Sequence, residues 1–139
     1  MRTGARQIVL WGLVFGAGVA VIDTLMNVLG PQPTAQNVEE LAGAIFGTLC
    51  LNFLISAILY YLSGYLASSF AGPRSAGQLT GLLAGVVAAV LGTLLFALVT
   101  SQSESTGLIV SWLLRGLMLN APVGFIFGSI GAVVAGRRQ

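Results

Sequence analysis

The chain has no histidine and no lysine, one cysteine (Cys50), and only six arginines and four acids among 139 residues. Each shortage excludes something. Without histidine the commonest metal ligand, general base and physiological pH switch are gone. Without lysine there is no phosphate loop of the usual kind. One cysteine forbids an intrachain disulfide and leaves the redox compartment unread. No Ser/His or Cys/His pair and no metal-ligand cluster is present either, so the chain is expected to be non-catalytic and to need no cofactor or metal. Charged residues make up 7% of the chain, against roughly a quarter in a soluble domain. A solvated surface cannot be built from this composition. The pI near 9.2 rests on arginines scattered along the chain rather than gathered on one face, which argues against a nucleic-acid partner.

What is abundant is apolar: 56% hydrophobic residues and 19 glycines. Four long runs stand out, at about 8–29, 41–70, 79–99 and 107–136. Each reaches the roughly 20 residues that a helix needs to cross about 30 Å of hydrocarbon. The first run continues past Ala20, beyond what a cleaved signal segment needs, so it is expected to remain as a span. The separators GPQPTAQN, AGPRSAG and SQSEST are short. The expected fold is a single all-α integral membrane domain, residues 1–139, with four antiparallel transmembrane helices. Capping boxes are expected at Asn37/Glu40 and Ser101/Glu104, and Gly72-Pro73 should end the second helix.

With four spans, one side of the bilayer carries Arg2, Arg6, Arg74, Arg137 and Arg138 and no acid, and the other carries Glu39, Glu40 and Glu104 and no base. By the positive-inside rule both termini should be cytoplasmic, in the cell membrane. Trp11, Tyr60, Tyr61 and Tyr65 would then sit at the inner interface and Trp112 at the outer one.

Two charges remain inside the spans, Asp23 and Arg115. At 100° per residue, Asp23 and Asn27 share one face with Gly12, Gly16 and Ala20. That face should meet protein rather than lipid, because small residues let helices approach closely where no hydrophobic drive exists. The third run aligns Gly81, Gly85 and Gly92, and the fourth aligns Asn120 with Gly124 and Gly128. The second carries Asn52 on one face and Gly43, Gly47 and Cys50 roughly opposite. Asp23 lies about 9 Å and Arg115 about 12 Å inside the outer boundary, whereas Asn52 and Asn120 approach the midplane. Arg115, off the glycine face of its helix, has three outlets: an ion pair with Asp23, snorkelling to phosphates, or another subunit. The fourth run makes about 45 Å of helix, as one kinked span or as two pieces divided near Pro122.

A single acid in the first helix resembles the small multidrug-resistance exporters, without the aromatic set that follows it there. Gly47, Thr48, Leu49 and Asn52 in GTLCLN resemble the second-helix motif of fluoride channels, but GVVAAVLGTLLFAL replaces their third-helix motif. Neither family is assigned on these few residues. Glycine faces on every run point to an accessory or structural subunit, packed against other membrane subunits or itself within the lipid bilayer. The alternative is a small oligomeric ion channel or proton-coupled transporter using Asp23.

Overall fold

The computed structural model describes residues 2–31, 34, 37–100 and 106–137. They form four helices: α1 (Arg2–Leu29), α2 (Val38–Ala71), α3 (Arg74–Thr100) and α4 (Thr106–Gly136). All four are long and apolar enough to cross a membrane. The fold is all-helical, and its composition and span lengths make this a multi-pass membrane protein.

The helix ends follow local chemistry with one exception. Gly72 adopts φ +88° and its N–H donates to the Ser68 carbonyl at 2.9 Å. Only glycine takes that conformation cheaply, and Pro73 then prevents continuation. At the other end of α2 the expected capping box is not formed: Asn37 precedes the helix without a side-chain cap bond. Its Oδ1 turns back to accept the Thr34 N–H at 2.7 Å, so the amide stabilises the loop instead. The Ser101/Glu104 box lies outside the described residues. α4 is one helix with Pro122 inside it, which decides between one span and two.

α3 packs against α1, α2 and α4, and α2 also packs against α1 and α4. Backbones approach closely at several glycines. A Cβ on Gly64 would strike the Gly128 carbonyl oxygen, and one on Gly81 the Gly124 oxygen. Gly85 lies against the Asn120 backbone, Gly12 against Leu83, and Gly16 against Ala84 and Val87. Such approaches gather many small dispersion contacts, the main source of association where lipid supplies no hydrophobic drive. The buried residues are accordingly small: Val19, Ala20, Ala84 and Ala88, together with Tyr60.

One expectation about the aromatics is corrected. Tyr60 is fully buried rather than interfacial, because its ring fills the centre beside Val19, Ala84 and Ala88. Trp11 is half-buried, stacked against Phe70 at 6.1 Å, with its indole N–H buried and without a partner among the described residues.

The helices are unequal. Gly30, just past the end of α1, comes level with Thr48 of α2. The first turns of α2, residues 38–47, therefore reach past α1 by on the order of 15 Å. Among the described residues, no atom lies within 4 Å of a Cβ added at Gly43 or Gly47. Phe46, Leu49, Phe53, Leu54 and Cys50 are exposed, and α2 is the least buried of the four spans.

Candidate functional site: a polar cleft between the spans

The embedded polar residues gather in one region. Asp23 and Asn27 lie one turn apart on α1, and the Asn27 amide donates to the Asp23 carbonyl at 2.7 Å. Beside them Thr24 is buried, its hydroxyl donating to the Ala20 carbonyl at 2.8 Å. From α2, the Asn52 amide Nδ2 donates to Asp23 Oδ1 at 2.8 Å. An ionised carboxylate only accepts, so the amide must present its nitrogen here. That orientation leaves Asn52 Oδ1 buried without a partner among the described residues.

From α4, Asn120 Oδ1 accepts the Tyr60 hydroxyl at 3.1 Å. The core tyrosine thus has an outlet for its one polar atom, and the phenol fixes the Asn120 amide. α3 contributes Thr93, bonded back to the Ala89 carbonyl at 2.8 Å, and Phe96, which meets Trp112 edge-on at 5.0 Å.

These side chains surround a cleft of about 510 Å³ that reaches from α1 across to α4. Asp23, Asn27, Thr93, Trp112, Arg115 and Asn120 all line it. The cleft follows from the packing. α3 and α4 touch backbone to backbone at Gly81/Gly124 and Gly85/Asn120, but at Gly116 an added Cβ would have 3.3 Å to the nearest atom of Ala89, and at Gly107 it would meet no atom within 4 Å among the described residues. Between α1 and α3, the nearest atom to a Cβ recedes from 2.7 Å at Gly16 to 3.9 Å at Gly92. The helices diverge toward the Asp23 end and leave a wedge of space.

The expected sites distribute as follows. Asp23, Asn27, Asn120 and Arg115 line the cleft together, and Asn52 reaches it through Asp23. Asn52 does not lie deeper than Asp23, since a hydrogen bond puts them at one level. The overhang of α2 accounts for the difference. Asp23 and Arg115 share the cleft, but no ion pair within 4.0 Å joins them among the described residues; Arg115 sits on the exposed side of α4. Gly12, Gly16, Gly81, Gly85, Gly124 and Gly128 lie at close helix approaches, Gly92 only grazes Ala20, and Gly43 and Gly47 meet no other helix among the described residues. Sequence reasoning missed Gly64, which meets Gly128, and the Tyr60–Asn120 bond. Gly64 lies one residue from Ser63 in a polar-small stretch, a signal available but not distinctive.

Among the described residues, no three Cys, Asp or Glu side chains come together as a metal-ligand set. The cleft offers one carboxylate, one guanidinium, two amides and an aromatic pair. That equipment suits binding of a polar group by charge and hydrogen bonds. No protein-family model matches the chain, and no curated protein or solved structure is detectably similar to it.

Proposed function

We propose that this chain is a non-catalytic subunit of a membrane protein assembly, with four antiparallel spans in the cell membrane and both termini cytoplasmic. The observation that carries the reading is the bare start of α2. Its first turns extend beyond α1 and, past Glu39 and Glu40, are apolar; they present Gly43, Gly47 and Cys50 on a face that none of the described residues covers. At Gly64, Gly81, Gly85 and Gly128 helices meet on glycine, and an uncovered pair at i and i+4 is the same equipment awaiting another helix. The five-to-none arginine distribution supports the orientation.

The test uses Cys50 where it stands. In native membranes, a permeant thiol crosslinker should join Cys50 to another membrane protein, identified by mass spectrometry, or to a second copy. Gly43→Ile with Gly47→Ile should abolish that product while leaving the chain inserted. A chain that stays monomeric in mild detergent, yields no crosslink and tolerates both substitutions would sink the reading.

A second reading, a small channel or transporter using Asp23, draws on the convergence of polar side chains at the cleft. Flux in liposomes by the purified chain, lost in Asp23→Asn at unchanged oligomeric state, would favour it over the first.

A further inference from the structure

Two features meet at Arg115. One is the polar cleft. The other is an open groove of about 690 Å³ on the outward side of α4, bounded by Val110, Leu114, Met118 and Leu119. Arg115 and Leu119 line both. A polar chamber therefore continues into an apolar groove, a shape that complements an amphiphile with its headgroup in one and its chain along the other. The cleft volume falls in the range of about 300–1,000 Å³ typical of small-molecule sites.

The charges select the headgroup. The cleft holds one carboxylate and one guanidinium, and no ion pair consumes them among the described residues. Charges at this depth are costly unless they meet a partner. A single zwitterion whose opposite charges are a few bonds apart serves both and adds no net charge. Asp23 takes a hydrogen bond from Asn52, yet an ionised carboxylate offers about four acceptor positions. A primary ammonium brings three N–H donors, whereas a quaternary ammonium brings none. At the other pole, the fork of Arg115 matches phosphate oxygens in pairs.

We propose that the cleft binds the headgroup of a zwitterionic phospholipid bearing a primary amine, taken from the surrounding bilayer. The ammonium sits on Asp23, the phosphate on Arg115, and an acyl chain lies along the α4 groove. This site belongs to the single chain and stands whether or not the chain is a subunit of an assembly.

The experiment uses the full chain in nanodiscs of equal phosphatidylethanolamine, phosphatidylcholine and phosphatidylglycerol. Lipid retained through a detergent wash is then quantified by mass spectrometry. Phosphatidylethanolamine should be enriched about tenfold over the other two, the ratio that one good charge-assisted contact gives. Asp23→Asn should remove that enrichment, and Arg115→Gln, which loses a contact to the phosphate that all three lipids share, should lower the retention of all three. Arg115 is exposed on α4, so its variant keeps the test valid even if Asp23→Asn melts early. Free phosphoethanolamine, which lacks the chain, should not displace the lipid. Equal retention of the three lipids, unchanged enrichment in Asp23→Asn, unchanged lipid retention in Arg115→Gln, or displacement by phosphoethanolamine would overturn the proposal.

Discussion

Asp23 of α1 accepts a hydrogen bond from the Asn52 amide of α2 at 2.8 Å, and this pair fixes the level at which the two helices meet. The bond gives an embedded carboxylate a protein partner that is not a cation. It also separates the fate of Asp23 from that of Arg115, which lies across the cleft.

The first prediction follows from that bond. Asn52→Leu and Asp23→Leu should each lower the melting temperature in mild detergent, and the double variant should lose less than their sum. Interhelical hydrogen bonds in membrane proteins couple by about 0.6 kcal/mol on average and reach about 1.7. The double-mutant cycle should return a coupling in that range. Asp23 with Arg115 should show weaker coupling, since no ion pair joins them among the described residues. The reverse order would reject this assignment of the Asp23 partner.

Tyr60 supports a second prediction. Its ring is fully buried and its hydroxyl donates to Asn120. Tyr60→Phe keeps the ring and removes the donor, which should cost about 0.5–1.5 kcal/mol. Tyr60→Ala opens a cavity and should cost about 3–5 kcal/mol, the range for large aromatic truncations. Equal effects in thermal melts would mean that the ring itself contributes nothing.

The four spans were legible because the hydrocarbon thickness imposes a length on every apolar run, and nothing in 139 residues competes with that demand. Helical periodicity alone puts small residues on one face each of α1, α3 and α4. What could not be read is which face meets which. Gly64 and Gly128 have no chemical label that selects them for each other, because any small residue admits any backbone. Depth was misjudged for Asn52 for a related reason. Counting inward from the loop assumes that paired helices start level, and α2 begins several turns beyond the end of α1. Tyr60 was misplaced because an amphipathic ring serves an interface or a core equally well, and only the position of Asn120 decides.

Glycines inside and outside the packed region should behave differently, which is the third prediction. A Cβ on Gly81 would strike the Gly124 carbonyl oxygen, and one on Gly128 would meet the Gly77 and Gly81 backbones at 2.8 Å. Backbone cannot step aside as a side chain does, so Gly81→Val or Gly128→Val should cost about 1–3 kcal/mol or more. Gly43→Ala meets open space among the described residues and should be neutral or slightly stabilising, since alanine is the better helix former by about 1 kcal/mol. Melting curves of the three variants in one detergent would check the contrast. Equal losses would argue against the close approaches.

The fourth prediction is the orientation. In a Cys50→Ala background, single cysteines at Gln32 and Ser103 should react with an impermeant maleimide added outside intact cells, and one at Ser75 only after lysis. The expectation rests on arginine alone: Arg6, Arg74 and Arg137 stand at one end of the spans, while Glu39 and Glu40 stand at the start of α2. Arg74 has a structural task there as well, because its side chain lies against Gly136 at the end of α4, where a cation complements the helix dipole. Arg74→Glu would put a negative charge at that helix end and weaken the positive-inside bias together. It should therefore lower the melting temperature and yield a fraction of molecules in which Ser75→Cys is labelled from outside. Outside labelling of Ser75→Cys in the otherwise unaltered chain would reverse the orientation and, with it, the side on which the polar cleft lies.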